Sequence, residues 1–367
     1  MKNSTYTNET LILTSSCKVT KGKNRSLIVD YLRNELFFIS NDYYQLLKEI
    51  DRKPISHAFN MVDSEDHDSV YEFIEYLLEN EIIMLSQTPD LFPKLSEETD
   101  DFDLIRDSII EIDPKTFAAD VFTKTVQQLN NLRCNDVQLR LYSEFSADFI
   151  HGLLRSINNT DINYVELHFE YDEKINREFL LSLIEDYPSL SHIFVYKAPE
   201  NRIYQHKIQH DNYYPLLLGN IYYARTPLSN GNCCGIITQE SMNFDNILKY
   251  NELKQQNGCL YKKVTIDKDG NIKNCPSMKK TYGNIKNAFI ENIIKQDEFQ
   301  FFGNIKKDEI AVCQDCEFRY ACTDCRAFLQ DSSDVYSKPL KCGYNPETCT
   351  WEDWSANPLK NRGKVYE

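Results

Sequence analysis

The cysteines constrain this chain most. Twelve occur in 367 residues, and eight of them (Cys259, Cys275, Cys313, Cys316, Cys322, Cys325, Cys342 and Cys349) lie in the last third. Cys313-Gln-Asp-Cys316 is one CxxC pair and Cys322-Thr-Asp-Cys325 a second, with five residues between them. A CxxC turn folds back on itself, so both sulfurs reach one metal centre. The apolar run near the N-terminus, Leu11-Ile12-Leu13, is too short for the core of an export signal. The chain is therefore expected in the cytoplasm, where thiols stay reduced and disulfides are not the framework. Two metal readings remain. Zinc ribbons separate their CxxC pairs by roughly 15–20 residues. The shorter gap here suits an iron–sulfur cubane, which also takes four thiolates. Eight thiolates suffice for one or two centres.

Charge and apolar content narrow the partners. A net charge of −15 disfavours nucleic acid, whose phosphates need a basic footprint. Apolar residues at 41% and aromatics at 12% suffice for a packed core, so the chain is not disordered. No apolar run approaches the ~18 residues of a membrane span.

Three regions follow from the apolar pattern. In the first, residues 1–95, strands are predicted over 11–20 and 26–39 around the turn Lys21-Gly22-Lys23-Asn24. A helix is predicted over 42–50 with Asn41 as its N-cap, and another over 69–80 with Val70, Phe73, Ile74 and Leu77 on one face. A short strand over 82–85 completes a winged-helix-like unit. Such a unit is either a packing domain or a peptide-recognition module that adds an extended peptide to a strand edge. Residues 87–103, rich in Pro, Ser and acid, read as a solvated linker.

The second region, 104–230, alternates strands (108–112, 137–142, 164–169, 192–196, 221–224) with helices (118–132, 147–157, 176–185). That alternation predicts a parallel sheet with helices on its faces. Four or five strands fit a partial α/β barrel or open sheet better than a closed eight-fold barrel. The third region, 231–355, holds the cysteines, a hairpin at Val264-Thr265-Ile266 with the turn Asp267-Lys268-Asp269-Gly270-Asn271, and a short helix over 287–295.

The spacing Cys259-x10-Gly270-x4-Cys275, then Cys313-x2-Cys316-x5-Cys322-x2-Cys325, then Cys342, resembles the SPASM domain of radical-SAM peptide maturases. The usual second block of that domain is Cx2Cx5Cx3C, and this chain has x2 in the last gap. The runs Lys307-Asp308-Glu309-Ile310, Cys316 to Ala327, Lys338-Pro339-Leu340-Lys341-Cys342-Gly343-Tyr344-Asn345-Pro346 and Asn274-Cys275-Pro276-Ser277-Met278 are similar to one subgroup. These are the SPASM-domain maturases that accompany an ATP-grasp ligase in grasp-with-spasm (graspetide-type) systems. The resemblance implies one or two auxiliary [4Fe–4S] clusters. Cys313, Cys316, Cys322 and Cys342 would hold one. Cys259, Cys275 and Cys325 would hold the other, with Cys349 or an open iron site in fourth place. It also implies two partners, a ribosomally made precursor peptide and an ATP-grasp ligase joining side-chain carboxylates to hydroxyls or amines. Cys233 and Cys234 are expected to be buried or incidental, because adjacent cysteines rarely serve one metal together.

The same resemblance exposes what is missing. Radical-SAM catalysis needs CxxxCxxC on the loop after the first barrel strand, and Asp113-Pro114-Lys115-Thr116-Phe117 holds no cysteine. The family's Gly-Gly-Glu at the second strand's end is replaced by Tyr142-Ser143-Glu144. The middle region thus reads as a degenerate radical-SAM-like scaffold without S-adenosylmethionine cleavage. No Walker loop, GxSxG or GxGxxG occurs. The seven histidines are scattered; His206 and His210, four apart, could share a helix face but are expected to be solvated or partly packed. The acidic run 63–68 reads as a solvated loop. The expected function is that of an accessory maturation factor. An iron–sulfur oxidoreductase acting on the peptide and a zinc-stapled peptide-binding scaffold are the alternatives.

Overall fold

The computed structural model describes residues 9–98, 103–113, 118–208, 216–228, 234, 236–244 and 246–353. It is a mixed α/β fold built round an eight-stranded, mostly parallel sheet.

The N-terminal unit contains β1 (Thr10–Leu13), the meander β2 (Cys17–Lys21), β3 (Ser26–Asp30) and β4 (Glu35–Ile39), helices α1 (Asn41–Ile50), α2 (Ile55–Asn60) and α3 (His67–Glu79), and β5 (Ile83–Ser86). The two long predicted strands are each broken once. β1 leaves the meander to pair antiparallel with β5, and a turn at residues 31–34 separates β3 from β4. All five residues of β3 are buried, and strand alternation explains how. Ile28 faces the unit's own core beside Leu47, Phe73 and Leu77. Leu27 and Val29 face the C-terminal region, packed with Phe318 and Tyr344. Ser40, rather than Asn41, caps α1, its Oγ accepting the Tyr43 N–H at 3.2 Å. Asn41 is drawn off by a tertiary partner: it accepts from Ser26 Oγ at 2.7 Å and donates to the Lys23 carbonyl at 2.9 Å.

The central sheet comes from β6 (Asp107–Ile112), β7 (Asp136–Leu141), β8 (Tyr164–Glu170), β9 (Leu190–Tyr196), β10 (Arg202–Ile208) and β11 (Leu216–Tyr223), with α4 (Ala119–Asn131), α5 (Ala147–Asn158) and α6 (Arg177–Asp186) between them. Helix α7 (Ile247–Gln255) leads to the hairpin β12 (Lys263–Ile266) and β13 (Ile272–Lys273). The hairpin adds to the sheet, β12 lying parallel to β6 with Val264 opposite Ser108. The order is β10-β11-β9-β8-β7-β6-β12-β13, with six parallel strands flanked by antiparallel β10 and β13. The edge strands do not meet among the described residues, so the sheet stays open.

The helices cover one face, where Leu139, Leu167 and Ile193 pack against Phe122, Leu154 and Leu183. The other face is polar. There Gln138 donates to Glu166 at 2.6 Å, and buried His168 bridges Glu166 (3.1 Å) and the Tyr196 hydroxyl (3.2 Å). His168, Phe194 and Tyr222 stack along it. His206 lies on strand β10, not on a helix, and meets Glu185 at 2.8 Å. Its expected helical neighbour His210 lies outside the described residues. Among the described residues no helix is long and apolar enough to cross a membrane.

Candidate metal centre

Beyond β13 the described residues form short helices, turns and one pair of two-residue strands, and their core contains cysteines among Leu260, Met278, Phe302, Ile310 and Phe328. Local hydrogen bonds present each sulfur. The side-chain Oδ1 of buried Asn257 accepts the N–H groups of Cys259 and Leu260, both at 3.0 Å, and shapes the turn that carries Cys259. Cys275 opens a tight turn in which its carbonyl accepts the Met278 N–H at 3.1 Å. Cys313 and Cys316 bracket a single 3₁₀ turn closed by the Cys316 N–H on the Cys313 carbonyl at 3.0 Å. Val312 and Asp324, at φ +69° and +68°, hold left-handed backbone beside the two CxxC pairs.

The charges of the thiols act on one another in two groups. In the first, the charge of Cys322 raises the pKa of Cys313, Cys316 and Cys342. In the second, Cys259 raises Cys275, both raise Cys325, and Cys234 raises Cys259 and Cys275. Burial is the largest cause throughout. It pushes Cys275 up to about 11, and Cys313 and Cys325 up to about 12. Thiols this hard to ionise become ligands when a metal takes the place of the proton.

Cys234 enters the second set through long-range contacts. The Ile237 N–H donates to the Lys341 carbonyl at 3.0 Å, and Ile237 bridges to Cys342. Lys341 Nζ donates to the Cys234 carbonyl at 2.6 Å, and the Cys234 sulfur lies 3.8 Å from Ser277 Oγ, two residues beyond Cys275. Cys349 sits apart, in the turn between the paired dipeptides Tyr344–Asn345 and Thr350–Trp351, its sulfur 3.7 Å from the Pro346 carbonyl. Cys233 lies outside the described residues. Sequence reasoning set Cys234 aside, and only its place among cysteines marked it.

Each group has its own lysine, buried in one and half-buried in the other. Lys307, 4% exposed, places Nζ 3.3 Å from the Cys322 sulfur and 4.0 Å from that of Cys313. Burial alone would lower its pKa, but Asp324, Cys313 and Cys322 raise it well above the ordinary value. Lys263 is likewise held as the ammonium, against burial, by Cys259, Cys275 and Asp107. Between the sets, Asp324 accepts from Lys307 Nζ at 3.2 Å, Arg326 Nη2 at 2.7 Å and Asn257 Nδ2 at 2.6 Å. Four thiolates on one centre carry a large negative charge, and buried cations offset it.

Thiolates alone are a donor set that both zinc and iron–sulfur clusters take. Sulfurs around one zinc stand about 3.8 Å apart, given Zn–S bonds of about 2.3 Å in a tetrahedron. Among the described residues, no three His, Cys, Asp or Glu side chains are arranged to hold a single ion. In a cubane each thiolate binds a different iron, so its sulfurs stand further apart.

Residues 259–317 match the SPASM family, an iron-sulfur cluster-binding domain. No curated protein matches this sequence. Among solved structures, SuiB of Streptococcus suis bound to S-adenosylmethionine is similar at 9% identity and a TM-score of 0.33, over 86% of this chain and 95% of that one. SuiB bound to the precursor peptide SuiA is similar at 9% identity and a TM-score of 0.32, over the same shares.

Proposed function

We propose that this protein is an accessory factor in the maturation of a ribosomally made peptide, carrying two [4Fe–4S] clusters and no S-adenosylmethionine-cleaving cluster. Cys313, Cys316, Cys322 and Cys342 hold one cluster. Cys259, Cys275 and Cys325 hold the other, with Cys234 as its fourth ligand. The observation that supports this reading is the charge coupling of the thiols in two groups, one beside buried Lys307 and the other beside half-buried Lys263. The clusters staple a region poor in regular structure, and a cluster when bound can also accept and donate single electrons. The N-terminal unit engages the precursor, and an ATP-grasp ligase forms the ester or amide crosslinks. The match of residues 259–317 to a cluster-binding domain and the cysteine-free sequence 113–117 support this division of labour.

Anaerobic purification tests the first part. About eight iron and eight sulfide per chain, with visible charge-transfer absorption, are expected for two cubanes. Stoichiometric zinc without sulfide would refute it. Co-expression of precursor and ligase with and without this protein tests the second, and an unchanged crosslink yield would refute that. Formation of 5′-deoxyadenosine from S-adenosylmethionine would shift the reading to an oxidoreductase.

A further inference from the structure

The residues joining the N-terminal unit to the central sheet do more than connect. They cross a groove of about 400 Å³ bounded by β2, α1 and α7, in which Lys94, Leu95 and Glu97 form part of the wall. Glu97 lies between two cations from different regions, 2.5 Å from Lys254 Nζ on α7 and 3.8 Å from Lys18 Nζ on β2. The Gln255 side-chain amide donates to the Glu97 carbonyl at 3.1 Å, so backbone and side chain are both read. Lys18 is itself placed 5.9 Å over the ring of buried Tyr250. Lys48 and Arg52 add positive charge to the same groove, and Arg52 Nε is buried without a hydrogen-bond partner. On a chain of net charge −15, this is a local cationic site.

The segment that fills the site is weakly held. Leu95 is 59% exposed although it lines the groove, and the neighbouring Leu91 is 73% exposed. Its other anchors are exposed polar contacts, Lys94 on Asp51 at 2.9 Å and Arg52 on the Phe92 carbonyl. Ion pairs of this kind contribute at most about 1 kcal/mol each. Among the described residues β2 pairs only with β3, so its outer edge is open to another strand.

We propose that this groove binds an extended peptide through a carboxylate side chain, and that residues 92–98 occupy it as an internal surrogate which the peptide displaces. The proposal rests on the reading that the N-terminal unit engages a precursor. It adds the chemistry recognised, an acidic side chain followed through its backbone carbonyl, and a reason why binding is gated.

The test uses the full chain and a synthetic peptide with the sequence of residues 92–98, labelled with fluorescein and followed by anisotropy. Three proteins are compared: the unaltered chain, a version with 92–98 replaced by Gly and Ser, and that version carrying Lys18→Ala and Lys254→Ala. Tighter binding to the Gly/Ser version than to the unaltered chain, by about fivefold or more, is expected from the loss of the tethered competitor. The double lysine variant, and a probe with both glutamates changed to glutamine, should each lose that gain. Equal affinity for all three proteins, glutamine probe binding as tight as glutamate, or no binding to the Gly/Ser version overturns the proposal. Cluster content and crosslink yield decide the broader function independently of these arms.

Discussion

Asp324→Asn removes the carboxylate that lies between two buried cations. Lys307, Asp324 and Arg326 side chains are 4%, 1% and 0% exposed. Arg326 cannot swing out to water, because Nη1 also holds the carbonyls of Val335 and Ser337, both at 2.8 Å. The amide keeps the size but not the charge, and its nitrogen cannot accept as the second carboxylate oxygen does, so two buried cations are left facing each other in a low dielectric. Breaking a buried pair from one side costs about 3–5 kcal/mol. Both tryptophans, Trp351 and Trp354, lie near the C-terminus, and Trp351 packs 4.9 Å from the Tyr344 ring. The fluorescence of Trp351 therefore reports this region. With urea slopes of about 1–3 kcal/mol/M, the midpoint should fall by about 1 M or more. Adding Lys307→Met should recover at least about 1 kcal/mol relative to the sum of the single changes. A loss under about 1 kcal/mol for Asp324→Asn, or strict additivity in the double variant, would refute the reasoning.

Cys234→Ser should lower iron content and alter the visible spectrum as strongly as Cys275→Ser, while Cys349→Ser leaves both unchanged; iron and sulfide assays on anaerobic protein decide this. Arg25→Ala strips the guanidinium whose Nε donates to buried Glu317 at 2.6 Å, and should loosen the N-terminal meander from the C-terminal region. Faster amide exchange in residues 26–30, at a cost of roughly 2 kcal/mol, is the expected readout. Burial, helped by Asp30, pushes the Cys17 thiol up to about 12. A raised folded pKa favours the protonated form, so this contribution is complete below the thiol's unfolded value of about 8.5 and is lost as pH climbs toward 12. Pulse proteolysis should show the unaltered chain losing roughly 1–2 kcal/mol more than Cys17→Ala between pH 8 and 10. Parallel pH profiles would contradict that assignment.

Much of this fold is written in short-range pattern. The alternation of apolar strands and amphipathic helices from Asp107 onward is enough for a parallel sheet, because each element's periodicity fixes which side it buries. The CxxC pairs are equally local: two residues of turn bring two sulfurs together whatever else the chain does. Sequence also determined that residues 113–117 bring no thiolate to the sheet. Tertiary structure decided the rest. Asn41 looks like a cap until Ser26 and Lys23 claim its side chain. The hairpin after Cys259 looks self-contained until β12 pairs with β6. Cys234 looks incidental until Lys341 and Ile237 draw it beside Cys275, and Glu97 looks solvated until Lys18 and Lys254 close on it. These contacts join residues far apart in sequence. Their free energy depends on distances that close only when separate elements pack, and no local propensity encodes that.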